Sequence, residues 1–231
     1  MGNLQKRIQE IKENISVACT KVGRDQSEVT IVAVTKSVSE QRAAEVVNEG
    51  IVDLGENRAE GLVQKQQNMQ DADVSWHYIG NIQSRKVRDI VGNISYLHSL
   101  SRINIAKEIQ KRAAEPINCF VQVNVSGEES KSGVTPQDLE RFINDLAEYD
   151  KIRVVGLMTM APNTEDEALI RSVFSQMRVL RDQLMEKNMQ HAPCTELSMG
   201  MSNDYSIAIE EGATFVRIGT ALVGAESEGV R

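Results

Sequence analysis

The sequence predicts an α/β fold: one barrel of eight parallel strands, (β/α)8, with helices packed outside. Three observations carry that prediction. Short apolar runs alternate with helical patterns along the chain, which implies parallel pairing through βαβ units. Eight such runs fit into 231 residues, an ordinary length for one barrel. No linker or low-complexity tract interrupts them and there are only four prolines, so residues 1–231 read as a single domain. An open, doubly wound sheet is the alternative, and the strand count favours the barrel.

The elements follow in order. The opening stretch, "MGNLQKRIQEIKENI", is an amphipathic helix carrying both signs of charge. The β-branched run Ile31-Val32-Ala33-Val34 marks a strand over 29–35. Further strands are expected over 51–54, 76–79, 96–98, 118–125, 153–158, 196–199 and 215–218. Helices are expected over 40–48, 58–70, 84–91, 103–114, 136–148, 165–187 and 204–211, and Gly219-Thr220 opens a last one.

Composition narrows the function. The formal net charge is −7, which argues against a general nucleic-acid or membrane-surface binder, since those cluster Lys and Arg. Cys19, Cys119 and Cys194 are odd in number, far apart and form no CxxC. A disulfide framework or zinc site is not expected, and a reducing cytoplasm fits. The N-terminus lacks the apolar core of a signal peptide, and no stretch has membrane-spanning length. Without an apolar surface stripe or a second domain in view, a monomer is expected.

In a barrel, chemistry gathers where strands give way to βα loops. Lys36 stands at the end of the first strand, where its stem is expected among apolar side chains and its amine in the mouth. A partly desolvated lysine is a nucleophile toward aldehydes; alone, it reads rather as a lysine snorkelling into water. In "VDLGENRAEG", Asn57 either caps the next helix or bonds a ligand, and capping is the simpler role. In "WHYIGNIQSRK", Gly80 suits close backbone approach. The strand period turns His77 away from the face of Trp76 and Tyr78, so a hydrogen-bonded structural histidine is expected rather than a metal ligand.

The stretch "LSMGMSNDYSIAIEEGATFVRIGTALVG" says most. Ser202 reads as the N-cap of a helix that ends at Gly212, and Gly219-Thr220 opens the next helix. Two helix starts after consecutive strands make an anion cradle, a recurring phosphate site after strands seven and eight of such barrels. Arg217, inside the eighth strand, needs a partner: either an acid such as Glu196 or a ligand in the barrel. An amine, an arginine and a phosphate cradle in this order match pyridoxal 5′-phosphate, which has an aldehyde, a ring nitrogen and a phosphate.

These stretches, with "AVTK", "GENRAEG", "VNVSGEESKSG" and "GLMTM", resemble the pyridoxal phosphate homeostasis proteins over nearly the whole chain. The resemblance implies a TIM barrel like the N-terminal domain of alanine racemase and a cofactor-balancing role in vitamin B6 metabolism without established turnover. It implies that Lys36 is the Schiff-base lysine and that Arg217 faces the pyridine nitrogen. Ser202, Gly219 and Thr220, with Ser198, correspond to the phosphate cradle, and Asn57 lies in the ligand-side "GEN" motif. Lys131 falls in the "SKSG" loop, near the expected position of the ring hydroxyl. Apo-enzymes using the same cofactor are the candidate protein partners. Tyr78, Ile82 and Arg85 depart from the usual "HFIGxLQxNK" pattern.

A racemase or decarboxylase and a cofactor-free aldolase would also use Lys36. Racemases of this type add a β-rich domain and take an opposing tyrosine from a partner subunit, and no such domain is expected here. For the opposing acid–base group the sequence offers only Tyr78, Tyr205 and His77. An arginine against the pyridine nitrogen also weakens the ring as an electron sink. The aldolase lacks a second lysine or acid pair at neighbouring strand ends.

Overall fold

The computed structural model describes residues 2–70, 72–128 and 132–224. A long first helix, α1 (Asn3–Lys21), precedes the barrel. The strands are β1 (Thr30–Val34), β2 (Asp53–Glu56), β3 (Ser75–Tyr78), β4 (Tyr96–Leu100), β5 (Ile117–Gln122), β6 (Ile152–Met158), β7 (Glu196–Ser198) and β8 (Phe215–Ile218). Between and after them run α2 (Glu40–Asn48), α3 (Ala59–Asn68), α4 (Val87–Ile90), α5 (Ile103–Arg112), α6 (Pro136–Asp145), α7 (Glu167–Met185), α8 (Tyr205–Glu210) and α9 (Thr220–Val223). Each strand pairs in parallel with the next, and β8 returns to β1 to close the barrel. The eight-stranded fold class is as the alternating pattern predicts.

The helix starts follow capping chemistry. Ser39, Thr135 and Asp166 accept the backbone N–H of Arg42, Asp138 and Leu169, and Pro136 occupies the first turn of α6, where its missing N–H goes unmissed. The expected helices over 84–91 and 136–148 each contain a 3₁₀ turn, Ser84–Lys86 before α4 and Leu146–Glu148 after α6. β2 is shifted by two residues at both ends: the sequence places it over 51–54, whereas the ladder runs Asp53–Glu56 opposite Ser75–Tyr78. Its end is held by buried charge rather than by apolar pattern: Glu56 is paired with Lys65 at 3.0 Å, and both side chains are inaccessible.

Strand alternation sorts the side chains into two layers. Val32, Phe120, Val155, Met158 and Phe215 fill the lumen, with Tyr96 against them. Trp76, Tyr78, Leu97, Leu157 and Val216 face the helices in the outer core. His77 turns the other way from its neighbours and stacks inside on Tyr96, with ring centres 4.5 Å apart. Outside, α1 braces the chain's last helices: Asn14 donates to the Tyr205 hydroxyl at 3.0 Å, and Arg7 to the Thr220 carbonyl at 3.1 Å. No helix among the described residues is long and apolar enough to cross a membrane.

Candidate functional site

Barrel closure brings the two ends of the motif set together. Ala33 of β1 lies opposite Ile218 of β8, and Gly219 rests against Val34. The loop carrying Lys36 is therefore beside the loop carrying Gly219 and Thr220, at the C-terminal mouth of the barrel. The sequence places the lysine stem among apolar side chains. Instead, β1 ends at Val34 and Lys36 sits in the following turn, exposed. The buried residue at that strand end is Thr35, whose hydroxyl donates to Glu56 Oε1 at 2.6 Å. Glu56 is pinned in turn by Lys65. This buried triad fixes the backbone from which Lys36 projects, and the pattern of apolar residues gave no sign of it.

Asn57 does not cap α3. Arg58 holds the N-cap position without a side-chain bond, and Asn57 is half-buried in the bend before it. Its carbonyl presses on Gly80, where an added Cβ would lie 2.2 Å from the Asn57 oxygen. Only glycine permits that approach, as the sequence anticipates.

Ser202 does not cap α8 either. It lies in a turn, and Asp204 takes the N-cap position. The turn is shaped by Gly200, with φ at 91° and Ala208 Cβ only 2.6 Å from where a Cβ would go. Asp204 Oδ1 accepts the Met201 N–H at 2.5 Å. Burial raises the Asp204 pKa, opposed by that hydrogen bond and by the charge of Arg217. The backbone N–H groups of Ser202, Asn203, Thr220 and Ala221, and the hydroxyls of Ser202 and Thr220, find no acceptor among the described residues. Two adjacent loops thus present unsatisfied donors to one mouth, the requirement for an anion site.

Arg217 does not pair with Glu196, which lies at the other end of β7 and accepts from Thr195. Its Nη1 donates to Ser198 Oγ at 2.6 Å and its Nη2 to the Thr159 carbonyl at 2.9 Å. The guanidinium is buried, and burial lowers its pKa to about 10, with Asp204 working against the shift. It is still a cation at neutral pH, bonded only to neutral acceptors, and forms an electropositive floor. Ser198 is fully buried, with its hydroxyl committed to Arg217 and to His98 Nδ1 at 2.8 Å. Beyond it His98 bonds His77, and His77 bonds Asp53. Of this row, the sequence singled out Arg217, Ser198 and His77. Lys131 lies outside the described residues.

Open space alone does not locate the chemistry. A recess of about 410 Å³ opens at the N-terminal end of the barrel, between Tyr96, Asn118, Arg153 and Glu196. A smaller one of about 200 Å³ lies on the mouth side, between Asn57, Tyr78, Asn81 and Lys86.

A parallel eight-stranded barrel with an exposed amine, a buried guanidinium and free amides at its mouth defines a class, and the family model for the alanine racemase N-terminal domain matches residues 7–227. A protein of Aquifex aeolicus named pyridoxal phosphate homeostasis protein is 39% identical over 225 residues, covering 96% of this chain and 98% of that one. One of the same name from Pseudomonas aeruginosa is 37% identical over 232 residues, covering 99% and 98%. The structure of PipY of Synechococcus elongatus with PLP bound superposes with a TM-score of 0.84, at 28% identity, covering 96% of this chain and 100% of that one. The chain belongs to the pyridoxal phosphate homeostasis protein family, within the wider group of alanine racemase N-terminal-domain barrels.

Proposed function

We propose that this barrel binds pyridoxal 5′-phosphate in its mouth and serves cofactor homeostasis rather than turnover. The observation that carries the proposal is the meeting of three donor types at one strand-end cluster: the exposed Lys36 amine, the buried Arg217 cation, and the free amides of the loops after β7 and β8. The bound cofactor supplies an aldehyde that a primary amine takes up covalently. Lys36 is placed to offer that amine, held by the Thr35–Glu56–Lys65 triad beneath it. The amides and hydroxyls of Ser202 and Thr220, with Gly219 giving close backbone access, hold the phosphate. Arg217, a permanent donor, meets the ring nitrogen as an acceptor. Ser198 supports Arg217 from below instead of touching phosphate, because its hydroxyl is already engaged. Asn57 borders the site on the β2 side.

Catalysis on an amino acid would need a second acid–base group facing Lys36. Tyr78 packs outside the strands in the helix-facing core, Tyr205 is buried outside the strands and bonds Asn14 of α1, and His77 lies down in the lumen. Of the three, only Tyr78 comes near the mouth, from the helix-facing layer, where it borders the recess beside Asn57. We place the role in the cytoplasm, which suits three unpaired cysteines, and apo-enzymes of the same cofactor are the proposed recipients. An absorbance titration of the purified protein with pyridoxal phosphate tests the proposal. A saturable near-ultraviolet to visible band that free cofactor lacks is expected, and a protein that leaves the cofactor spectrum unchanged contradicts it.

A further inference from the structure

A row of hydrogen bonds crosses the barrel lumen from the mouth to the opposite end. Arg217 Nη1 lies 2.6 Å from Ser198 Oγ, Ser198 Oγ lies 2.8 Å from His98 Nδ1, His98 Nε2 lies 2.8 Å from His77 Nδ1, and His77 Nε2 lies 2.9 Å from Asp53 Oδ1. Both imidazoles are fully buried, while the Asp53 side chain keeps 24% of its surface in solvent. Aromatic walls hold the rings: His77 stacks on Tyr96, and His98 stacks on Phe120 at 4.4 Å.

With both rings neutral, the chemistry of the two ends fixes the direction of every bond between them. A guanidinium only donates, and an ionised carboxylate only accepts. Asp53 therefore requires a proton on His77 Nε2. A neutral His77 then has a bare Nδ1, which must accept from a proton on His98 Nε2. A neutral His98 then has a bare Nδ1, which must accept from the Ser198 hydroxyl. Ser198 is left to accept from Arg217, and all the donors and acceptors along the row are used once. Burial, helped by the charge of Arg217, holds the His98 pKa well below its ordinary value, which keeps that ring neutral. If the far end could donate as well as accept, His98 could carry its proton on Nδ1 instead. Ser198 would then accept from both sides, and its own proton would be released from the row.

We infer that Asp53, His77, His98 and Ser198 form a directed hydrogen-bond wire that aims Arg217 at the cofactor, so that a carboxylate at the far end of the barrel is a positioning residue of the mouth. The consequence for the cofactor rests on the proposed binding of pyridoxal phosphate; the direction of the wire does not.

Nitrogen NMR of histidine-labelled protein without cofactor reads the direction itself. The wire requires a proton on Nε2 and a bare Nδ1 at both His77 and His98. A proton on Nδ1 of either, or an imidazolium at either, overturns the wire. Asp53→Asn keeps the size but can donate as well as accept, so His98 should become a mixture of tautomers. Its affinity for pyridoxal phosphate should fall about two- to thirtyfold, the range of coupling through such networks, with a shifted absorbance band. In a Ser198→Ala background the wire is already cut, and Asp53→Asn should have no further effect on affinity. Additive losses, or an Asp53→Asn protein with unchanged tautomers and affinity, refute the inference. A wild-type protein that shows the expected tautomers but binds no pyridoxal phosphate refutes the proposed function and leaves the wire standing.

Discussion

Removing one hydroxyl from the phosphate cradle gives a measurable and selective loss. Ser202 and Thr220 each offer a hydroxyl with no acceptor among the described residues, beside free amides of the same loop. A hydrogen bond to a charged group contributes about 1.5–3 kcal/mol. Each loop keeps two of those amides after substitution to alanine, those of Ser202 and Asn203 in one and Thr220 and Ala221 in the other, so the phosphate is never left bare and the low end applies. Ser202→Ala and Thr220→Ala should each weaken pyridoxal phosphate binding by about 1.5 kcal/mol, roughly tenfold in Kd. The side chains are half-buried and exposed, respectively, so folding stability should change by no more than about 0.5 kcal/mol. Absorbance titrations of both variants and wild type, run in parallel with pyridoxal phosphate and with pyridoxal, separate phosphate contacts from the rest. Pyridoxal should bind all three proteins alike. If its affinity falls as much as that of the phosphorylated form, these hydroxyls do not contact phosphate.

Other outcomes follow from the same geometry. Incubation with L-alanine and pyridoxal phosphate in deuterated water should give no α-proton exchange above that of free cofactor; steady exchange abolished by Lys36→Ala would show an enzyme. Lys65→Met leaves the Glu56 carboxylate buried without its cation and should lose about 3–5 kcal/mol in chemical denaturation; a loss under 1 kcal/mol would mean that water reaches the triad. Hydrogen bonding to Arg171 holds the Glu210 pKa below its ordinary 4.5, helped by Lys21. Because the folded pKa is depressed, this contribution is complete above about pH 4.5 and fades as pH falls through the folded value. Arg171→Met should therefore be slightly less stable than wild type near neutrality, with the gap closing in acid. A gap that widens in acid would reverse the sign assigned to this pair.

The barrel was legible because most strands carry their own apolar run and alternate with helical patterns. The position of Lys36, Gly219 and Thr220 just past strand ends was legible, because a local pattern suffices there. What escaped depends on tertiary pairing. The β2 ladder runs on to Glu56, which reads as part of a helix start after Gly55 until Lys65 and Thr35 are seen to satisfy its carboxylate. Ser202 looked like a helix cap because the next residues are helical, but Gly200 bends the backbone and Asp204 takes that position. The lumenal row joins residues 24, 21, 100 and 19 positions apart. No local pattern links such residues, although strand alternation did turn His77 to the correct face.

Reductive trapping on the intact protein tests the central claim most directly. Borohydride should fix pyridoxal phosphate to the wild-type chain in a one-to-one adduct, and peptide mapping should locate it on Lys36. Lys36→Ala should give no adduct while still binding the cofactor more weakly through the phosphate loops. An adduct mapped to another lysine, or equal trapping in Lys36→Ala, would contradict the site described here.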